Sequence, residues 1–300
     1  MIISFDIETA KPMPSNTCPK CGGFDFTELD ENGVQLMPDQ IRCIECGEIG
    51  SKYIAFVTNW RDHAPLGVSC AAACYDNGDG PKHKLWYSND VAKAMEDGEV
   101  ASDGAMTKDE CVAMVMELME WRDKGHTIAT WNGLAFDFPV LEVETGMATG
   151  CTELALAHVD MMFYVIAIKG YRLGLEAALL GAGLPPKLHE VTLKSGEVIT
   201  EMSGAMAPLL WQQGEYEAVL DYLKIDVEQT VSLASHLNVK REIRWTSKNN
   251  RKNSFPIPRG GKLPTIAQCL QWRKPNTSWM TNPPTREEYT SWMNGGLGIL

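Results

Sequence analysis

Residues 1–10 read MIISFDIETA, and the fold prediction starts from this stretch. Its apolar residues run into Phe5-Asp6-Ile7-Glu8-Thr9, which is typical of a buried β-strand. Side chains two residues apart on a strand point to the same face, so Asp6 and Glu8 share a face. Two acids on an otherwise apolar strand are unfavourable unless they bind cations or pair with bases. The alternative is a strand end that reaches solvent.

Further acids lie far along the chain. Asp137 ends the segment NGLAFD (132–137), between a predicted strand and a predicted helix, where a carboxylate can face a cleft. Asn132 or Asp137 could instead cap that helix by accepting backbone N–H bonds. Tyr222 and Asp226 are four residues apart on another predicted helix, so they share a face. The alternative for this pair is an ordinary solvated helix face.

Together the three segments resemble the motifs of the DEDD exonuclease superfamily, in the branch with a tyrosine in the third motif (DEDDy). The resemblance is closest to the exonuclease domains of family B DNA polymerases. Residues 5–9, 132–137 and 222–226 correspond to the first, second and third motifs, in that order. The histidine branch has its histidine one residue before the tyrosine, where Asp221 stands here. The resemblance covers roughly residues 1–236, apart from an insertion.

This resemblance implies a ribonuclease H-like (DnaQ-like) fold and a 3′–5′ exonuclease that releases nucleoside 5′-monophosphates from single-stranded nucleic acid. It also implies two bound Mg²⁺ or Mn²⁺ ions, which prefer oxygen ligands such as carboxylates. Asp6 would bridge both ions, Glu8 and Asp226 would hold the ion that carries the attacking water, and Asp137 would serve the other, directly or through water. Tyr222 would hold that water. The substrate-binding positions by resemblance are Thr9, Asn132 and Phe136.

Two cysteine pairs of the form C-x₂-C-G lie in residues 11–50, with 21 residues between the pairs. Thiolates at this spacing close a tetrahedron around Zn²⁺, and four cysteines leave no open position for chemistry. The sequence therefore predicts an inserted zinc ribbon with one structural Zn²⁺, and a redox role is the alternative. The predicted zinc ligands are Cys18, Cys21, Cys43 and Cys46. The other five cysteines are expected to pack in the core.

Charge is distributed unevenly along the chain. The whole sequence has a net charge of −12, but residues 240–300 carry 11 Lys+Arg and 3 Asp+Glu, which leaves −20 for residues 1–239. Four tryptophans accompany these basic residues: Trp245, Trp272, Trp279 and Trp292. Basic residues neutralise phosphates and aromatic rings stack on unpaired bases, so this extension is a candidate contact for nucleic acid. Equally, the tryptophans could pin an irregular segment onto the main domain.

The order of predicted elements indicates an α/β domain with a mixed sheet flanked by helices. We expect residues 1–10 and 51–239 to form the exonuclease domain, 11–50 the zinc-ribbon insertion and 240–300 a basic extension. Helices are predicted over 107–124, 138–145 and 214–236, a strand over 53–60, and a hairpin around 76–80. Asp160 is expected to cap a helix. No secretory signal or membrane-spanning run is found, which predicts a cytoplasmic protein with no membrane partner.

The sequence is consistent with three functions. The leading one is a 3′–5′ exonuclease acting on DNA in preference to RNA, because the full set of acids is present. The second keeps the same site but acts on RNA ends or short oligonucleotides. The third is a non-catalytic module that binds nucleic acid or acts as a scaffold through the ribbon and the extension. The expected partners are nucleic acid with a free 3′ end and replication or repair proteins.

Overall fold

The protein has an α/β fold built on a mixed five-stranded sheet with helices on both sides. The computed structural model describes residues 1–12, 26–37, 40–44, 46–51, 60–187, 190–200, 202–247, 250–281 and 283–295. The strands of this part are β1 (Ile2–Thr9), β2 (Phe26–Thr27), β3 (Gln40–Cys43), β4 (Ile49–Ser51), β5 (Val68–Asp76), β6 (Pro81–Tyr87), β7 (Thr127–Thr130), β8 (Val159–Asp160), β9 (Val191–Thr192), β10 (Val198–Ile199), β11 (Glu242–Thr246) and β12 (Lys252–Pro256). The helices are α1 (Asn89–Asp97), α2 (Lys108–Asp123), α3 (Asp137–Thr145), α4 (Ala148–Ala157), α5 (Met161–Lys169), α6 (Leu175–Ala182), α7 (Ala207–Gln212), α8 (Tyr216–Lys240), α9 (Ile266–Cys269) and α10 (Arg286–Thr290).

The first strand lies in the middle of the main sheet, whose order is β6-β5-β1-β7-β8. It pairs antiparallel with β5, where Glu8 faces Cys70, and parallel with β7, where Ile3 faces Ile128. A strand that pairs on both sides and is covered on both faces needs mostly apolar residues. This explains why four of the residues 1–5, MIISF, are apolar. The predicted buried strand is confirmed.

The β5–β6 hairpin confirms the turn predicted at 76–80. Asp76 pairs with Pro81 across the turn, and the Asp76 carboxylate accepts the Gly78 N–H at 2.7 Å. Gly78 and Gly80 have φ values of 101° and 98°, which favour glycine over other residues. The turn therefore follows from local sequence.

Helices α2, α3 and α8 begin and end within four residues of the helices predicted over 107–124, 138–145 and 214–236. In α2 the Thr107 side chain accepts the Glu110 N–H while the Glu110 carboxylate accepts the Thr107 N–H, a capping box. Between residues 148 and 169 the chain forms two helices, α4 and α5, separated by the short strand β8. The long helix α8 packs along β1 and β5, and the Ser4 hydroxyl donates to the Val227 carbonyl at 2.6 Å.

The two faces of β1 meet two different groups of side chains. Phe5 and Ile7 lie in a core formed with α2 to α5, as the alternation predicts. The other face meets α8, whose Val219, Leu223 and Val227 are buried against β5. The even-numbered residues of β1, including both acids, therefore lie on the α8 side.

Residues beyond 240 contribute to the first of these cores. The hairpin β11–β12, which the sequence did not predict, buries Trp245 and Phe255. It lies against α6 at Gly181, where a Cβ atom would stand 1.8 Å from the Arg244 carbonyl oxygen. Glycine at this position therefore permits the close approach of helix and hairpin.

The strand predicted over 53–60 lies outside the described residues except for Trp60, which begins a 3₁₀-helix, Trp60–His63. Within the described ranges, no helix combines the length and the hydropathy needed to cross a membrane.

Candidate active site

The predicted acids of β1 and α8 converge at the carboxyl end of β1. Glu8 is buried and Asp6 is partly exposed, both on the face towards α8. Asp226 and Tyr222 are buried on α8, so the alternative of a solvated helix face is wrong. The charges of Asp6 and Asp226 each raise the pKa of Glu8, which requires the three carboxylates to lie close together.

Asp137 joins this group from the start of α3. The Ile7 N–H donates to both the Asp6 and the Asp137 carboxylates, at 3.1 Å each. A hydrogen bond also joins the two carboxyl groups. The N-cap position of α3 is Phe136, without a side-chain cap, so Asp137 reaches across to β1 instead of capping its own helix. We refer to Asp6, Glu8, Asp137 and Asp226 as the carboxylate cluster.

Burial and mutual repulsion raise the pKa values of three members of the carboxylate cluster, Asp6, Glu8 and Asp137. Burial and the nearby Asp226 raise the pKa of Asp6 from 3.8 to about 7. Burial and Asp6 raise the pKa values of Glu8 and Asp137 well above the ordinary range. Crowded acids cannot all ionise in a poorly solvated site unless cations compensate them. A nearby cation would therefore favour ionisation of these three carboxyl groups at neutral pH.

Lys187 supplies one positive charge to this cluster. Its Nζ lies 2.8 Å from Asp226 Oδ2 and donates to the Tyr222 hydroxyl at 2.7 Å. The sequence did not single out this lysine, which stands in the loop between α6 and β9 with no motif around it. Only the fold places it beside Asp226.

The donor set fits Mg²⁺ or Mn²⁺ in kind, although not in its present arrangement. Among the residues that the structure describes, no three His, Cys, Asp or Glu side chains are grouped so that they could hold a metal ion. Four carboxylates are nevertheless the hard oxygen ligands that these ions prefer. Here a hydrogen bond joins the carboxyl groups of Asp6 and Asp137, and the Lys187 ammonium contacts Asp226. Binding of metal would require both arrangements to change.

Asp160 holds the loop that precedes Asp137. Its carboxylate caps α5 by accepting the N–H groups of Met162 and Phe163, which confirms the capping expectation. It also accepts the N–H groups of Asn132 and Leu134 at 3.0 Å each. Asn132 has φ 76°, a left-handed conformation that asparagine tolerates. Asp160 therefore links the strand β8 to the loop that presents Asp137.

The three predicted substrate-binding residues have different surroundings. Thr9 is buried, and its hydroxyl donates to the Lys11 carbonyl at 2.9 Å. Asn132 and Phe136 are partly exposed beside Asp137. The Phe136 ring meets the Trp60 ring edge to face, with centroids 5.9 Å apart. Substrate contact by these three residues stays a prediction.

Half of the predicted zinc site can be described. Cys43 ends β3, and the turn to β4 closes through the Gly47 N–H, which donates to the Cys43 carbonyl at 2.9 Å. Gly47 has φ 73°, so the turn uses the glycine that follows Cys46. Cys18 and Cys21 lie outside the described residues, and the zinc ribbon stays a prediction. The remaining cysteines are buried as expected: Cys70, Cys74, Cys111, Cys151 and Cys269.

Packing fixes most of the tryptophans of the extension. Trp245 is buried, Trp272 packs 5.7 Å from the Tyr164 ring, and Trp292 donates its indole N–H to the Leu134 carbonyl at 2.9 Å. Trp279, in contrast, is 68% exposed. The extension thus supports the main domain, including the loop before Asp137, and leaves one tryptophan open to solvent.

Comparisons of the chain with models of known protein families, with curated proteins and with solved structures gave no match. The carboxylate cluster is consequently the feature from which a function can be inferred.

Proposed function

We propose that this protein is a metal-dependent 3′–5′ exonuclease with a ribonuclease H-like fold. It would hydrolyse single-stranded nucleic acid, DNA in preference to RNA, to nucleoside 5′-monophosphates. The observation that supports this proposal most is the convergence of four carboxylates from three distant segments at the end of a central strand. Strongly perturbed pKa values in such a group favour a functional site over a structural one. The mixed sheet is compatible with the proposed fold.

Each acid has a defined role in this proposal. Asp6, Glu8 and Asp226 would hold one ion, and Asp6 with Asp137 would hold the other. The two cations would supply the charge that stabilises the entering and leaving oxygens of the phosphodiester. The Ile7 N–H donates to both Asp6 and Asp137, and it would hold these two carboxylates next to each other.

Tyr222 would orient the attacking water by its hydroxyl. Burial and the nearby Asp226 raise the pKa of Tyr222, so the hydroxyl keeps its proton at any physiological pH. A protonated hydroxyl can donate a hydrogen bond, but it cannot act as a general base. The role of Tyr222 is therefore positioning of the water and not removal of its proton.

The extension would add contacts to the single strand. Trp279 is exposed, and Arg273 and Lys274 precede it closely in the sequence. An exposed ring near cations can stack on an unpaired base while the cations contact phosphates. Trp279→Ala should therefore weaken binding to single-stranded DNA without lowering stability. If fluorescence anisotropy shows that Trp279→Ala binds single-stranded DNA as tightly as the wild type, Trp279 does not contact the substrate.

Polarity and metal dependence test the main proposal. Single-stranded DNA, single-stranded RNA and duplexes, each labelled at the 5′ end, are incubated with Mg²⁺ or Mn²⁺ and resolved as ladders. Products should shorten from the 3′ end, stop with EDTA, and form more slowly from a 3′-phosphorylated strand. RNA cleaved faster than DNA would favour the alternative of an enzyme for RNA ends or short oligonucleotides.

A matched pair of variants on α8 links the activity to the cluster. Asp226→Asn should lose metal binding and turnover together, because it removes a proposed ligand. Asp221→Asn changes an exposed acid five residues earlier and should keep full activity. An active Asp226→Asn variant, or shortening from the 5′ end, contradicts the proposal.

A further inference from the structure

The ammonium group of Lys187 lies where the carboxylate cluster needs a cation. It is 2.8 Å from Asp226 Oδ2, 2.7 Å from the Tyr222 hydroxyl oxygen and 4.8 Å from the centre of the Tyr222 ring. Its charge also favours ionisation of Asp6 and Glu8, so it acts on three members of the cluster. Lys187 is therefore the counter-charge of three of the four carboxylates, Asp6, Glu8 and Asp226.

The backbone beside Lys187 is tied to the helix that carries Asp226. The Gln229 side chain, one turn further along α8, donates to the Pro186 carbonyl at 2.7 Å. Two prolines, Pro185 and Pro186, restrict the chain just before the lysine. The base of the side chain is thus held, while its four-carbon stem can rotate the ammonium towards or away from Asp226.

Lys224 on the same helix shows that this pair is not an ordinary surface ion pair. Lys224 Nζ lies at the same distance, 2.8 Å, from Asp221. In that pair the side chains are 35% and 66% exposed, whereas those of Lys187 and Asp226 are 21% and 6% exposed. Exposed pairs contribute little to stability, but a positive charge beside buried acids interacts strongly. The two ion pairs have the same N–O distance, and the clearest difference between them is the burial of their side chains.

We propose that Lys187 is a built-in counter-cation that competes with divalent metal for Asp226. Its ammonium group holds Asp226 and Tyr222 when no metal is bound, and it leaves Asp226 when a divalent ion binds there. An ammonium group that stayed in contact with Asp226 would repel the incoming ion across a few ångströms. Lys187 therefore lowers metal affinity and stabilises the cluster in the absence of metal. This inference rests on the proposed function, because it takes the cluster as the metal site.

Metal binding without nucleic acid tests the proposal directly. Mn²⁺ affinity is measured by electron paramagnetic resonance and calorimetry for the wild type, Lys187→Gln, Lys187→Arg and Lys224→Gln. Lys187→Gln should bind Mn²⁺ on the order of tenfold more tightly, because one nearby repulsive charge is removed. Lys187→Arg keeps the charge and should bind no more tightly than the wild type. Lys224→Gln removes an equal charge outside the cluster and should match the wild type.

Thermal unfolding gives a second readout. Without metal, Lys187→Gln should melt at a lower temperature than the wild type, because its acids lose their cation. Saturating Mn²⁺ should raise its melting temperature more than that of the wild type, since tighter binding gives a larger stabilisation. If Lys187→Gln is unfolded in EDTA, added Mn²⁺ should refold it, and failure to refold overturns the proposal.

The outcomes separate this proposal from the nuclease assignment. If the wild type binds Mn²⁺ and Lys187→Gln binds it equally or more weakly, the counter-cation role is overturned and the nuclease proposal stands. Tighter binding by Lys187→Arg than by the wild type also overturns that role. If none of the four proteins binds Mn²⁺, both proposals fail.

Discussion

Asp160 and Asp226 are both buried carboxylates, but they are stabilised by different kinds of partner. Asp160 accepts four backbone N–H groups, from Asn132, Leu134, Met162 and Phe163, which belong to elements that it holds together. Asp226 meets the ammonium group of Lys187 and lies near the charges of Asp6 and Glu8.

The difference distinguishes a structural acid from one suited to bind a cation. Backbone donors cannot leave, so the Asp160 carboxylate is permanently engaged and its removal would damage the fold. An ammonium group and a carboxyl proton can both be exchanged for a metal ion. Burial alone therefore does not distinguish a structural carboxylate from a candidate for cation binding, whereas burial among like charges with exchangeable partners favours the second.

The largest expected effect is on turnover in Asp6→Ala. The rate should fall by more than about 10²-fold, because even outer partners of metal ligands are worth 10–100-fold. The melting temperature in EDTA should not fall, because the change removes one of several mutually repelling acids. Single-turnover rates and thermal unfolding measure the two effects. A variant with normal turnover would place the chemistry outside the carboxylate cluster.

Asp160→Ala should show the opposite pattern. It leaves buried N–H groups without acceptors, and each such group costs about 1–3 kcal/mol, so the free energy of unfolding should fall by about 3 kcal/mol or more. Urea denaturation measures this loss. Asp109→Ala, an exposed acid in the first turn of α2, should change stability by about 0.5 kcal/mol or less. Equal effects of the two substitutions would contradict the structural role of Asp160.

Tyr222→Phe tests positioning within the cluster. It keeps the ring but removes the hydroxyl that lies beside Asp226 and Lys187. We expect kcat to fall about 10²-fold, the lower range for a group that handles protons in the reaction, with Mn²⁺ affinity nearly unchanged. Single-turnover rates at saturating enzyme and Mn²⁺ titrations separate the two quantities. An unchanged rate would mean that Asp226 contributes to turnover and that the Tyr222 hydroxyl does not.

The smallest expected effect is a pH dependence of stability without metal. The pKa of Asp6 rises from 3.8 to about 7 on folding, so the folded state binds more protons than the unfolded state between these values. Stability should therefore decrease as pH rises from about 4 through 7. Asp6→Asn should lose less stability over this range, with a difference in melting temperature of roughly 2–4 °C for each 1 kcal/mol of stability that the wild type loses. Parallel curves for wild type and variant in EDTA, from pH 4.5 to 8, would contradict the raised pKa.

Local patterns account for the elements that the sequence predicted well. The alternation in β1, the glycine-rich turn at 76–80 and the capping box of α2 each depend on residues within a few positions of one another. The hairpin β11–β12 was not predicted, because Trp245 and Phe255 acquire their partners from α6 and the main core. Strand preference in such a segment depends on what it packs against.

Local sequence patterns indicate which residues are candidates for a metal site and which faces they occupy. Spacing placed Asp6 with Glu8 on one strand face and Tyr222 with Asp226 on one helix face, since strand and helix periods are local properties. Only the tertiary structure decided that Asp137 shares the Ile7 N–H with Asp6, that Asp160 holds the loop before Asp137, and that Lys187 contacts Asp226. These contacts join residues 28 to 130 positions apart, and no local pattern specifies them. They depend on packing of the helices against the sheet, which the whole chain determines.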